Sequence, residues 1–265
     1  MLDAMNIAAT GMRTQQLNVD TIANNLANVN TSGFKKSRVN FVDLVTHGAD
    51  AAAQSLAGAQ AMPGLDAAQR SGAGVAVTAV DKLFDGGSLQ KTGNALDLAI
   101  SGDGFLEVAQ PDGAKAYVRG GSFKVDTDGM LATATGQVLQ PEIQIPPSAT
   151  SVTVAVDGKV SVTTAASTTP IEVGRLTMAR FADAGALTAL GNGLYAASDA
   201  SGDASSGHGG EDGMGTIAQG FLEGSNVKMV DEMVNLMIAQ RAYEASVKVV
   251  QASDEMMGMV NNLRK

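Results

Sequence analysis

Both ends of the 265-residue chain carry a seven-residue apolar repeat, and the stretch between them does not. Near the N-terminus Met5, Met12, Val19 and Leu26 recur every seven residues, and Ala8, Gln15, Ile22 and Val29 follow each by three. Near the C-terminus Met229, Leu236, Tyr243, Val250 and Met257 form one series, with Met233, Gln240, Val247 and Asp254 interleaved four residues on. Alternating steps of three and four put such residues along one side of an α-helix, the spacing of a coiled-coil seam. One helix is expected from residue 1 to about 30. It closes in the turn formers Asn28-Val29-Asn30-Thr31-Ser32-Gly33, with Gly33 suited to a C-terminal cap. A second is expected from about Asn226 to Leu263, where no Pro occurs and Gly258 is the sole Gly. At ~1.5 Å per residue they span roughly 45 and 55 Å, long for a globular protein.

The middle has a different grain. Asp-Gly recurs at 85–86, 103–104, 112–113, 128–129, 157–158 and 212–213, the first five among β-favouring runs such as 75–80, 95–100, 152–156 and 171–176. Asp-Gly between such runs is a strong hairpin signal, so the middle is expected to be mainly antiparallel β. Low-complexity stretches at about 48–74 and 198–216 suggest extended or flexible connectors. The expected fold class is therefore α+β, with long terminal helices packing as a coiled-coil-like pair. The expected divisions are an N-terminal helix at 1–33, an extended connector with β segments at 34–92, and a β-rich domain at 93–197. A Gly/Ser-rich return connector at 198–225 and a C-terminal helix at 226–265 follow.

Charge obeys the same division. Residues 1–30 carry one base and two acids, residues 226–265 five of each, and residues 31–225 twelve bases against twenty acids. Near-neutral helices can crowd together while an acidic middle faces solvent. A net charge of −9 argues against a phosphate-backbone binder, and aromatics at 4% argue against base stacking, so no nucleic-acid partner is expected. Without Cys, disulfide frameworks, thiol catalysis and Cys/His zinc sites are excluded. No apolar run is long enough to span a bilayer, and the start Met1-Leu2-Asp3 lacks the basic region of a secretory signal peptide.

Candidate chemistry is thin. Asp126-Thr127-Asp128-Gly129 superficially resembles the start of a calcium loop, but Met130 falls at the third ligand position and Gln137 replaces the closing Glu. A hairpin turn is expected there. Asp203, His208, Glu211 and Asp212 lie in a Gly/Ser stretch with no rigid frame, and a solvated loop is expected. Gly72-x-Gly74 and Gly102-x-Gly104 lack the third Gly of a phosphate cradle, and no Gly-x-Ser-x-Gly elbow occurs. Neither catalytic residues, nor cofactor, nor metal is expected.

The helices carry more information. Nine of the 13 Met (1, 5, 12, 229, 233, 237, 256, 257 and 259) lie in the two terminal segments, where adaptable side chains suit shifting contacts. Asn18, Asn24, Asn25 and Asn28 are poor helix formers whose amides can bridge to neighbouring backbones or side chains. Gln15, Gln240 and Asp254 can set register as isolated polar seam positions do. These features favour a self-assembling protein over a monomeric β domain.

Four stretches then carry a resemblance. Asn24-Asn25-Leu26-Ala27-Asn28-Val29-Asn30-Thr31-Ser32-Gly33-Phe34-Lys35 resembles the N-terminal motif of bacterial flagellar rod and hook proteins. Gln219-Gly220-Phe221-Leu222-Glu223-Gly224-Ser225-Asn226-Val227, followed by Met233-Val234-Asn235-Leu236-Met237 and Gln240-Arg241-Ala242-Tyr243-Glu244, is similar to the C-terminal one. Residues 93–105 and Gly121-Ser122-Phe123 resemble the entry to the family's β domain. Length and the stretch from Phe41 to Asp97 are closest to the distal-rod members. In Arg119-Gly120-Gly121-Ser122-Phe123, members commonly have Asp or Asn before the Gly-Ser-Phe where this chain has Gly120, a departure expected to loosen one turn.

The resemblance implies a basal-body subunit of a hollow helical rod that crosses the periplasm, joins motor to hook, transmits torque and encloses an export channel. Its implied partners are further copies of itself, proximal rod proteins, the hook protein, the surrounding outer-membrane and peptidoglycan ring proteins, and the flagellar export apparatus. Export through that apparatus would need no cleaved signal peptide. A proximal-rod or hook-type axial paralogue is the nearest alternative, and a secreted β-rich cell-wall-binding or cell-wall-active protein a more distant one. Subunit packing is expected from Met5, Met12, Val19, Ile22, Asn24, Asn25, Leu26, Asn28 and Val29 at one end. At the other it is expected from Met229, Met233, Leu236, Gln240, Arg241, Tyr243, Val247, Val250 and Met257. Lone amphipathic helices are marginal in water, so the free subunit is expected to have disordered ends.

Overall fold

In a computed structural model of the chain, residues 2–47, 70–165, 167–211 and 213–263 are described. Contacts divide it into two compact units, with crossings at Leu26/Ala27, Lys36/Ser37, Asp81/Lys82 and Lys228/Met229. The first holds both terminal helices and a β-ribbon; the second holds the β-rich middle together with the short segment 27–36. The connector expected over 48–69 falls outside the described residues, while 70–74 lie in a strand.

In the helical unit, α1 covers Leu2–Ala27 and α2 covers Met229–Leu263. Acids at Asp3 and at Asp231 and Glu232 sit in their first turns, where the helix dipole favours negative charge. The N-terminal helix stops before the expected cap. The Thr31 amide donates to the Asn28 carbonyl at 3.1 Å and the Thr31 hydroxyl meets the Asn28 side chain at 3.2 Å, closing a turn. Asn side chains offer the backbone that local alternative to helix, and Gly33, at φ 71°, follows in the next turn. Strands β1 (Ser37–His47) and β2 (Arg70–Lys82) pair as a two-stranded ribbon.

The β unit is built on an eleven-stranded sheet with smaller sheets of three and two strands, and every described strand pair in it is antiparallel. Its core is one apolar cluster that includes Leu98, Ile100, Leu106, Val108, Val160, Leu176, Met178 and Ile217. An aromatic group of Phe84, Phe105, Tyr117, Phe181 and Tyr195 packs edge to face at centroid distances of 4.8 to 6.1 Å.

Three Asp-Gly pairs turn hairpins as expected. Asp112-Gly113 joins β3 (Phe105–Ala109) to β4 (Lys115–Val118), Asp128-Gly129 joins β5 (Gly120–Val125) to β6 (Leu131–Thr133), and Asp157-Gly158 joins β7 (Ala149–Val154) to β8 (Lys159–Thr164). The would-be calcium loop is thus a turn, with the Asp126 amide donating to Met130 O at 2.8 Å and the Gly129 amide to Asp126 O at 2.9 Å. Asp85-Gly86 and Asp103-Gly104 turn no hairpin. Their carbonyls accept from distant groups instead: Asp85 O from Lys35 Nζ at 2.7 Å, and Asp103 O from the Gly215 amide at 2.6 Å.

At Gly120 the backbone of this chain takes a conformation that favours glycine. Its φ is +118°, and a Cβ there would sit 2.5 Å from the Leu98 carbonyl oxygen on the paired strand.

Candidate assembly surface

The two helices pack against each other through small and polar side chains. A Cβ on Gly11 would lie 3.5 Å from Ser246 Oγ, and Asn25 Nδ2 donates to Glu232 Oε2 at 3.2 Å. From Gly11 to Asn25 and from Ser246 back to Glu232 the chain moves fourteen residues each way, so the pair is antiparallel in constant register over about 21 Å. The inward stripe of α1 includes Ala8, Gly11, Thr14, Ile22 and Asn25, and that of α2 includes Glu232, Leu236, Ala239, Ser246 and Ser253. Buried Thr14 spends its hydroxyl on the Thr10 and Gly11 carbonyls, leaving a smooth face. Asn25 also brackets β1, donating to Ser37 O at 2.8 Å and accepting from the Ser37 amide at 2.9 Å. Gly74 of β2 comes so close to α1 that a Cβ would lie 2.3 Å from Thr10 Oγ1.

The large apolar side chains point away from that contact. On α2, Val230 is 72% exposed, Ile238 62%, Met237 58%, Met233 51% and Met229 48%. Ile7 and Leu17 of α1 and Phe41, Val42, Leu44 and Val45 of β1 are also exposed. Successive strand residues face opposite sides, so the ribbon shows apolar surface on both faces. A globular helix turns its large apolar residues inward; this unit does the reverse. Its buried apolar side chains, among the described residues, are Ala8, Ile22, Val39 and Ala239.

The expected packing residues distribute over both surfaces. Ile22 and Asn25 are buried; Met5, Met12, Val19, Leu26, Asn28, Val29, Leu236, Val247, Val250 and Met257 are half-buried; Asn24, Met229, Met233, Gln240, Arg241 and Tyr243 are exposed. Arg241 pairs with Glu244 at 3.1 Å in the open, which contributes little.

A second constellation, in the β unit, escaped the reading of the sequence. Glu223 lies buried between two cations: Lys35 Nζ donates to its Oε1 at 2.7 Å and Arg119 Nε to its Oε2 at 3.3 Å. The Gly87 amide also reaches Oε1, at 2.8 Å, and the Gly33 amide donates to the Glu223 carbonyl at 2.7 Å. Arg119 donates further to Gly104 O at 3.1 Å and Gly102 O at 2.5 Å and stacks 5.9 Å over the Phe105 ring. It ties three segments together. Asn226 adds a backbone clasp, accepting from the Lys36 amide and donating to Leu83 O, each at 2.8 Å. Burial pulls the Lys35 ammonium below its ordinary range, against the opposing pull of Glu223. Burial, reinforced by the Glu223 charge, pushes Tyr195 up to about 12. The charges are all engaged with one another and with backbone, an arrangement that holds chain segments and leaves no group poised for proton transfer.

Where a solvated loop is expected, Asp203 and His208 flank a short strand, Ser205–Gly207, that pairs with Met178–Arg180; the Glu211 amide donates to His208 O at 3.1 Å, and Glu211 meets Arg175 at 3.7 Å; Asp212 lies outside the described residues. The described residues include no cluster of metal-ligating side chains.

Three family profiles match. Residues 5–35 match "Flagella basal body rod protein", 99–162 "Flagellar hook protein FlgE/F/G D1 domain", and 218–263 "Flagellar basal body rod FlgEFG protein C-terminal". The chain is 42% identical over 267 residues to the flagellar basal-body rod protein FlgG of Borreliella burgdorferi, covering 100% of both chains. It is 39% identical to the FlgG of Buchnera aphidicola from Schizaphis graminum, over 99% of this chain and 100% of that one. Similarity to the Helicobacter pylori flagellar hook protein FlgE is 39% over 144 residues, covering 53% of this chain and 19% of that protein. The matched ends contain most of α1, all of α2 and the Lys35 and Glu223 sides of the buried ion cluster.

Proposed function

The chain belongs to the flagellar basal-body rod and hook family, as a structural subunit of the distal rod and not an enzyme, and from that premise we propose how it assembles. Many copies associate into a hollow helical shaft, with terminal helices of neighbouring subunits packed side by side around an export channel. The shaft carries torque from motor to hook across the periplasm, and its subunits arrive through the flagellar export apparatus without a cleaved signal peptide. Proximal rod proteins and the hook protein adjoin its two ends, and ring proteins surround it.

The observation that carries this reading is the row of large apolar side chains on the outside of α2, beside a helix pair closed by small ones. Exposed apolar area of this extent marks an interaction surface. A second copy suits it: the surface is long, near-neutral and studded with adaptable Met, and the same helix carries a family profile.

The same observation predicts a change on assembly. Ordering a residue costs about 1–2 kcal/mol, and four buried apolar side chains offset little of that for the 26 and 35 residues of α1 and α2. Far-UV circular dichroism of the dilute chain is expected to show less helix than those residues would give, and the missing signal should return on assembly. Full helicity in the dilute monomer would contradict the proposal.

A further inference from the structure

We infer that Met229, Met233 and Met237 form a reversible oxidation site, at which peroxide converts the free subunit into a form that no longer assembles. The inference rests on the assembly reading above and names a regulation of that surface. Spaced by four, the three residues form one ridge along α2, the kind that seats in a neighbouring helix's groove. They are 48%, 51% and 58% exposed, and Val230, Val234 and Ile238 beside them are exposed too. The chain has no Cys to intercept a peroxide first. By contrast, Met178 and Met214 are buried in the β core.

In the reaction, a thioether sulfur lone pair attacks one peroxide oxygen. The S–O bond forms, the O–O bond breaks, and after proton transfer water leaves; sulfur loses two electrons and the peroxide gains them. The sulfoxide product is polar, and a polar group buried without a partner is costly. Three on one ridge oppose docking at every subunit contact that uses it. Assembly covers the ridge, so a finished rod is protected where a free subunit is not. Sulfoxide reduction restores the thioether, which makes the change reversible.

The test treats the full-length chain with hydrogen peroxide, maps oxidation by peptide mass spectrometry, and measures the lowest concentration that yields sedimentable rods. Met229, Met233 and Met237 are expected to oxidise at least about tenfold faster than Met178, and the assembly threshold to rise roughly tenfold or more. Methionine sulfoxide reductases should restore it, and the triple variant Met229→Leu, Met233→Leu, Met237→Leu should assemble alike with and without peroxide. An unchanged threshold after oxidation of the ridge overturns the inference, as does an equal loss in the triple variant. Should that variant fail to assemble untreated, reductase rescue of the oxidised natural chain decides: recovery supports the site, and no recovery overturns it. An untreated natural chain that never forms rods overturns the assembly reading itself, a distinct result.

Discussion

Met233→Asp or Ile238→Asp is expected to abolish rod formation while leaving the thermal melting of the β unit unchanged. Both side chains are more than half exposed in the single chain, so the substitution disturbs no packing within it. In the assembly the same carboxylate enters an apolar contact with no cation provided. Burying an unpaired charge costs several kcal/mol, and each 1.4 kcal/mol is about tenfold in association, so a loss beyond ~100-fold follows at each contact. Leu236→Asp offers the contrast, because Leu236 is half-buried on the stripe by which α2 meets α1. It should weaken the helix pair as well as the assembly. Sedimentation for rods and calorimetry for the β unit separate the two effects; normal rods from Met233→Asp and Ile238→Asp would remove the outward row from the interface.

Glu223→Ala is expected to strike the other unit. It removes the common counter-ion of Lys35 and Arg119 and leaves both cations buried. Breaking such a cluster from one side costs about 3–5 kcal/mol, far more than the cluster itself contributes relative to an apolar replacement. For a unit of this size that lowers the melting temperature by roughly 6–20 °C. Glu223→Gln should fall between, since an amide oxygen still accepts from Gly87 but carries no charge to offset the cations. A melting shift within about 3 °C for Glu223→Ala would contradict the role of Glu223 as the counter-ion that holds the two cations.

The two variants bear on what the chain discloses before it folds. The heptad series locate both helices, because a period of three and four residues is a local property. They do not say which stripe meets the chain's own partner. Large residues such as Met229, Met233 and Tyr243 dominate the period, yet the intramolecular contact runs along Gly11, Ala239 and Ser246, whose small size admits close approach. A helix with one small stripe and one large stripe presents two apolar surfaces, and periodicity merges them. Hairpins at Asp112, Asp128 and Asp157 are legible for the same local reason. Asp85 and Asp103 are not, since their carbonyls answer to Lys35 and Gly215 far along the chain.

The ion cluster lay beyond local reading altogether. Lys35 and Glu223 are 188 residues apart, and Arg119 and Glu223 are 104 apart. One signal was present: Lys35 closes the otherwise uncharged run Asn24–Phe34, and Glu223 is the lone charge between Gln219 and Val227. A solitary charge inside an uncharged motif invites a search for its counter-ion. The buried Arg119 supplies part of that answer, one residue before the Gly120 at which a looser turn is expected.

In the proposed assembly the terminal helices drive association and the β unit does not. Electron microscopy of the purified full-length chain beside a chain lacking residues 1–30 and 226–265 tests it most directly. Rods or filaments from the full-length chain, with dispersed particles from the truncated one, are the predicted result. Rods from the truncated chain, or dispersed full-length monomers that already carry a stable helical hairpin, would contradict it.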